Sequence, residues 1–166
     1  QIMIARMIGT VCGVGYLKPA PGTWGSAAAL PFAVALHWLG SFPLLFCATV
    51  VVFFVGWWAT MVETRGKDNH DPGEIVIDEV AGQWLTLLPL SFVLWSHGSP
   101  VTILPWPGLL GGFILFRIFD ILKPWPVRWA DQKSTPFGVM FDDVLAGIYA
   151  ALVLSIAGYL AHGGFS

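Results

Sequence analysis

Charge is what this chain has least of. Only 11% of its 166 residues are Asp, Glu, Lys or Arg, against about 25% in soluble domains. All of them fall in three stretches, 6–18, 63–79 and 117–143, and the runs 19–62, 80–116 and 144–166 hold none. Hydrocarbon enforces such segregation, because an ionised group at bilayer depth is costly unless it is paired. Other scarcities exclude further classes. Eight cations against ten acids leave a net charge of −2 and no basic stripe, so a nucleic-acid partner is excluded. Cys12 and Cys47 show no CxxC or Cys/His spacing; both are read as buried apolar fillers and not as a disulfide or zinc pair. Neither Gly-x-Ser-x-Gly nor a Ser/His/Asp or Cys/His arrangement occurs, so a covalent Ser or Cys nucleophile has no support. The Walker spacing is also missing, which removes the nucleotide reading. Residues 1–24 carry glycines and prolines where a cleavable signal would have a basic and then an apolar region. Gln1, in place of Met, points to a trimmed start.

What is present is apolar. Hydrophobic residues make up 56%, with nine Trp and twelve Phe, and the mean hydropathy is +0.73. The expected fold is all-α, a polytopic membrane helix bundle forming one domain over 1–166. Crossing the hydrocarbon takes about 20 residues. Phe42–Val62 and Val144–His162 are the clearest spans, Val80–Ser96 and Leu109–Leu122 are shorter, and Ser26–Leu39, with Pro31, reads as a short tilted span, the alternative being a re-entrant piece. The charge-free connections lie on one side and every Lys and Arg on the other. The positive-inside rule then gives about five crossings, with the N-terminus in the cytoplasm and the C-terminus outside.

The charged face carries more than anchoring needs. Asp78-Glu79 opens the third span and Asp142-Asp143 the fifth, each followed within four residues by small side chains that let helices approach closely. A single acid complements a helix dipole; two adjacent acids, twice, point to a reaction site. If the third helix begins near Pro72, Glu74 and Asp78 share a face, with Asp71 and Glu79 nearby. Such oxygen-rich clusters suit Mg²⁺, which takes carboxylates, waters and substrate phosphate oxygens. Glu63, Asp68 and Asp71 read as solvated loop. Arg117 lies in an apolar run and must face the interior, and Asp120 and Lys123 stack on neighbouring turns before Pro124 and Pro126 end the helix. Arg suits bidentate phosphate contacts and Lys a point charge. Lys123 and Arg128 alone could be membrane anchors, with Trp125 and Trp129 as the interfacial belt. The loop Gly13–Ser26, rich in Gly and Pro, would let backbone amides approach an anion at the start of the first span.

In order along the chain, four segments resemble the phosphatidylglycerophosphatase A family. They are Pro19-Ala-Pro21-Gly22-Thr23-Trp24-Gly25-Ser26, Glu74-Ile-Val-Ile-Asp78-Glu79-Val-Ala-Gly82-Gln83-Trp84, Phe116-Arg117-Ile-Phe-Asp120-Ile-Leu-Lys123-Pro124-Trp125-Pro126-Val-Arg128 and Gly138-Val-Met-Phe-Asp142-Asp143-Val-Leu-Ala-Gly147. The resemblance implies a Mg²⁺-dependent lipid phosphatase of the bacterial inner membrane. It would remove the terminal phosphate monoester of phosphatidylglycerophosphate in phospholipid biosynthesis, with its active site facing the cytoplasm. On that footing Asp78, Asp142 and Asp143 are expected to hold the metal, with Glu79 as ligand or water-activating base. Asp120 either ligates metal or orients Arg117. Arg117, Lys123 and Arg128 are expected to hold phosphate oxygens, with Thr23, Ser26 and the 22–26 backbone as a second clamp. The competing readings are a divalent-cation transporter and a structural membrane subunit. A transporter should carry acids at mid-span, and the spans have none on the far side of the bilayer.

Overall fold

The computed structural model describes residues 1–163, and among these every regular element is helical. In chain order they are α1 (Ile2–Gly9), a single 3₁₀ turn (Val14–Tyr16), α2 (Pro21–Glu63), α3 (Ile77–Ser96), α4 (Trp106–Leu122), α5 (Val127–Asp131) and α6 (Pro136–Ala161). By length and apolarity α2, α3 and α6 could each cross a membrane, whereas α4 has 17 residues. The expected last connection runs into 164–166, which lie outside the described residues.

α2 contains two helices in one. A straight helix of its 43 residues would be about 64 Å long, twice the hydrocarbon core. Instead Gly40 and Ser41 leave helical geometry, Ser41 at φ 54°, and the chain reverses. Contacts at both ends of α3 show the reversal. A Cβ at Gly25 would lie 2.8 Å from Val76, and one at Gly56 would lie 3.1 Å from Ile77. At the opposite end His37 hydrogen-bonds Ser91 at 2.7 Å and the Phe42 ring meets Phe92. The expected separation at 39–42 is therefore present as a two-residue turn.

α3 is the most enclosed of the three long helices, packing chiefly on α2 and α6. Trp84 Nε1 donates to the Ala29 carbonyl at 2.9 Å, pinning α3 to the first limb of α2. Close backbone approach joins α3 to α6. A Cβ at Gly82 would stand 2.6 Å from the Asp143 carbonyl oxygen, and one at Gly147 2.6 Å from that of Gly82. The small residues after each acidic pair thus allow the contact expected of them. α6 starts under a Thr135 cap whose Oγ1 accepts from Gly138 N at 3.1 Å. One end of the bundle collects the start of α2, the start of α3, the end of α4 and the first turns of α6.

Three expectations are corrected here. α3 begins at Ile77 and not near Pro72, so Glu74 lies in the preceding loop, exposed, and shares no helical face with Asp78. Pro72 and Gly73 keep that loop out of helix. Cys12 and Cys47 are both exposed: apolar surroundings in a chain of this kind include the outer surface. Glu63 closes α2 and pairs with Arg6 at 3.4 Å, and its side chain is only 10% exposed, so it is not a solvated loop residue.

Candidate active site

The charged end of the bundle encloses a cavity of about 420 Å³. Asp71, Asp78, Glu79, Asp120, Asp142 and Asp143 line it together with Arg117, Lys123 and the first residues of α2. Five of these carboxylates, those of Asp78, Glu79, Asp120, Asp142 and Asp143, belong to residues no more than 8% exposed. Carboxylates so enclosed need partners, and the helices supply them.

α3 presents its acids in its first turn. Asp78 Oδ1 accepts the Glu79 backbone N–H at 2.9 Å. Glu79 Oε2 accepts from Ser26 Oγ at 3.1 Å and from Arg117 Nη1 at 2.7 Å. Its other oxygen, Oε1, faces the start of α2, where a Cβ on Gly22 would collide with it. Glycine is what allows α2 to come so close. On α4 the same Arg117 Nη1 donates to Asp120 Oδ2 at 2.6 Å, so one guanidinium nitrogen ties α3 and α4 together. On α6 Asp142 Oδ1 accepts the Asp143 N–H at 2.9 Å, and Asp142 Oδ2 accepts from Lys123 Nζ at 2.8 Å. Lys123 caps α4 in the left-handed region at φ 46°, and also meets Asp131 at 3.0 Å and Asp120 at 3.7 Å. Burial on its own would lower the Lys123 ammonium, but Asp142, Asp120 and Asp131 outweigh it and raise the pKa. Asp71 keeps solvent access; desolvation by the surrounding protein raises its carboxyl, Asp131 and Asp120 add to that, and Lys123 opposes it.

Oxygen atoms of Glu79, Asp120 and Asp143 all lie within 4.8 Å of one another, from α3, α4 and α6 respectively. Of the two roles left open for Asp120, the structure shows the contact with Arg117, and its carboxylate also lies in this oxygen cluster. Asp78 and Asp142 line the same cavity. Of the expected phosphate contacts, Arg117 and Lys123 are in the lining, whereas Ser26 stands behind Glu79 as its hydrogen-bond donor. Thr23 is half-buried one residue beyond the lining residue Gly22. Arg128 is exposed on α5 and outside the lining. Two acids enter that were not assigned from sequence. Asp71 comes in on the loop before α3, and Asp131 reaches Lys123 from α5. Asp71 has no periodicity to betray it, and Asp131 depends on where the short helix α5 is placed by the turn at Pro124–Pro126.

A family model described as Phosphatidylglycerophosphatase A matches residues 7–158. A Haemophilus influenzae protein named Phosphatidylglycerophosphatase A is 39% identical over 143 residues, covering 86% of this chain and 81% of the relative. An Escherichia coli protein of the same name is 35% identical over 150 residues, covering 89% and 79%. A Bacteroides thetaiotaomicron protein, provisionally named a phosphatidylinositol-3-phosphatase, is 37% identical over 155 residues and covers 91% of each chain. No solved structure matches this chain at a significant level. With the family model covering most of its length and relatives at this identity, the chain belongs to the phosphatidylglycerophosphatase A family.

Proposed function

We propose that the chain is a Mg²⁺-dependent phosphatidylglycerophosphatase, hydrolysing the terminal phosphate monoester of its lipid to phosphatidylglycerol and phosphate in phospholipid biosynthesis. The observation that carries this reading is the cavity itself, with six carboxylates and two cations at one end of an apolar helical chain. That balance leaves four formal negative charges in excess, which would repel a phosphate dianion unless cations enter with it. The donors facing the cavity are oxygens, with no thiolate or imidazole in the lining, and such a set fits a hard cation. Asp78, Glu79, Asp120, Asp142 and Asp143 are the residues that would hold it. Bound Mg²⁺ would supply Lewis-acid neutralisation of charge on the transferring phosphoryl group.

The remaining roles belong to side chains. Arg117 presents its guanidinium to phosphate while keeping Glu79 and Asp120 in place, and Lys123 adds a point charge. The start of α2, with Gly22 and Thr23, offers helix N-terminal amides to the anion. Glu79 Oε2 is fixed by Ser26 and Arg117, so Oε1 is the atom that receives the proton of the attacking water. The water oxygen bonds to phosphorus as the P–O bond to the lipid breaks, and the proton taken up by Glu79 passes to the departing oxygen, so the lipid leaves as an alcohol and phosphate remains.

The same reading makes 1–166 one integral-membrane domain of the bacterial inner membrane, crossing five times, with N-terminus and cavity cytoplasmic. The two limbs of α2, with α3, α4 and α6, supply the crossings. Apart from Arg117, which sits within α4, all Lys and Arg lie in the segments assigned to the cytoplasm. In a background free of Cys12 and Cys47, a cysteine at position 70 should resist labelling from outside intact cells; labelling there overturns the orientation.

Phosphate release in detergent tests the activity. Phosphatidylglycerophosphate, phosphatidylinositol 3-phosphate and phosphatidic acid should be compared with Mg²⁺ and then with EDTA. The expected result is preference for the first and loss of release with EDTA. Release undiminished by EDTA would remove the metal from the proposal, and preference for the inositol lipid would move the substrate toward the name given to the Bacteroides relative.

A further inference from the structure

Gln83 is a polar side chain that the proposed chemistry leaves unused. It is fully buried on α3, and neither its Oε1 nor its Nε2 has a hydrogen-bond partner among the described residues. Leaving a buried polar group unsatisfied costs about 1–3 kcal/mol. Two more orphaned atoms belong to side chains of the cavity, Arg117 Nε and Asp143 Oδ2.

Helix geometry carries Gln83 toward them. It follows Glu79 by four residues, which places it one turn deeper on the same face of α3. Helical side chains lean toward the N-terminus of their helix, so its amide is directed back toward Glu79 and the carboxylates. At the adjacent Gly82, a Cβ would stand 2.5 Å from the Phe116 ring and 2.6 Å from the Asp143 carbonyl oxygen. The chain segments bearing Arg117 and Asp143 therefore meet α3 at this level. The hydrogen-bonding roles are complementary: Arg117 Nε only donates, an ionised Asp143 only accepts, and an amide does both.

We infer that Gln83 is a positioning residue of the site. Through one or two ordered waters its amide ties Arg117 Nε to Asp143 Oδ2 beneath the carboxylates, and so fixes the guanidinium plane and the Asp143 rotamer. An internal water commonly makes about three hydrogen bonds to otherwise unsatisfied groups, which matches the atoms gathered here. Only the kinetic arm of the test rests on the proposed phosphatase activity.

The full-length protein in detergent serves for the experiment, with Gln83→Leu as an apolar replacement of similar volume and Gln83→Asn as the conservative one. Turnover on phosphatidylglycerophosphate with Mg²⁺, KM and the thermal midpoint are measured together. A wild-type map is determined at a resolution that shows waters. Gln83→Leu should lower kcat about 10- to 100-fold, the scale of losing an outer-sphere partner. Its KM should stay within about threefold, as expected when an interaction serves the transition state. Its thermal midpoint should change little, because the apolar volume is kept and what is lost is a water-mediated contact. Gln83→Asn should recover part of kcat. The map should show water within about 3.2 Å of the Gln83 amide and of Arg117 Nε or Asp143 Oδ2. Wild-type turnover in Gln83→Leu overturns the inference, as does a map without that water, or a kcat loss in both variants that follows a lowered thermal midpoint. If wild type releases no phosphate from any of the lipids, the phosphatase reading fails, and the map and thermal midpoint then decide the role of Gln83.

Discussion

Asp78–Glu79 on α3 and Asp142–Asp143 on α6 repeat one local arrangement, the first acid accepting the N–H of the second at 2.9 Å in both. Their places in their helices differ. The α3 pair lies in the first turn, where a helix dipole favours negative charge. The α6 pair begins seven residues into a helix that starts at Pro136, beyond the reach of that effect. Each pair also has its own cation, Arg117 for Glu79 and Lys123 for Asp142, and Asp120 contacts both cations. Capping thus accounts for one pair at most. Beyond its own N–H contact, the second pair is held by Lys123 across the cavity.

The largest expected effect comes from breaking either pair. Asp78→Asn and Asp142→Asn should each lower turnover by about 10³-fold or more, on the scale of losing a principal electrostatic stabiliser, while the protein still inserts and folds. Wild-type turnover at ordinary Mg²⁺ in one of them would remove that residue from the cation site and make the pairs inequivalent. Next is the cation of the α3 pair. Arg117→Lys keeps the charge and loses the planar fork, so turnover should fall about 100-fold with the thermal midpoint nearly unchanged. If Arg117→Lys and Asp120→Asn instead lose stability equally, with turnover per folded molecule intact, Arg117 is a structural partner and not a phosphate ligand. The cation of the α6 pair should behave differently. Lys123→Met strands Asp142 and should destabilise by about 1–3 kcal/mol in denaturant unfolding, whereas Lys123→Arg should be milder in both stability and turnover. Smallest of all, Arg128→Ala and Asp68→Asn alter exposed side chains outside the cavity lining. Both should stay within about twofold of wild type; a large loss in Arg128→Ala would show that α5 closes onto the substrate.

The positions of the acidic pairs and of Arg117 were legible because hydrocarbon leaves charge so few places to go. An Arg inside an apolar run has to find a carboxylate, and here it finds two. The close contact of α3 with α6 was readable from Gly82 and Gly147, whose lack of side chain it requires. Loop geometry was not readable. The start of α3 at Ile77 and the placement of Asp71 against the cavity arise from a non-helical segment, and the reach of Asp131 to Lys123 from a five-residue helix, both too short of periodicity to give guidance. Cys12 and Cys47 were misjudged for a related reason. Where the outside of the protein can be as apolar as its core, hydrophobicity alone does not distinguish buried from exposed.

The reversal at Gly40 and Ser41 has a consequence for how such a chain is made. With the two limbs of α2 spanning, the turn between them offers the insertion machinery no ionised group to translocate, and neither does the connection from Ser96 to Trp106. Of titratable side chains, these two connections carry His97 alone. On the proposed topology each hairpin would enter from the cytoplasmic side as a unit, leaving the charged side chains on the side where they were synthesised.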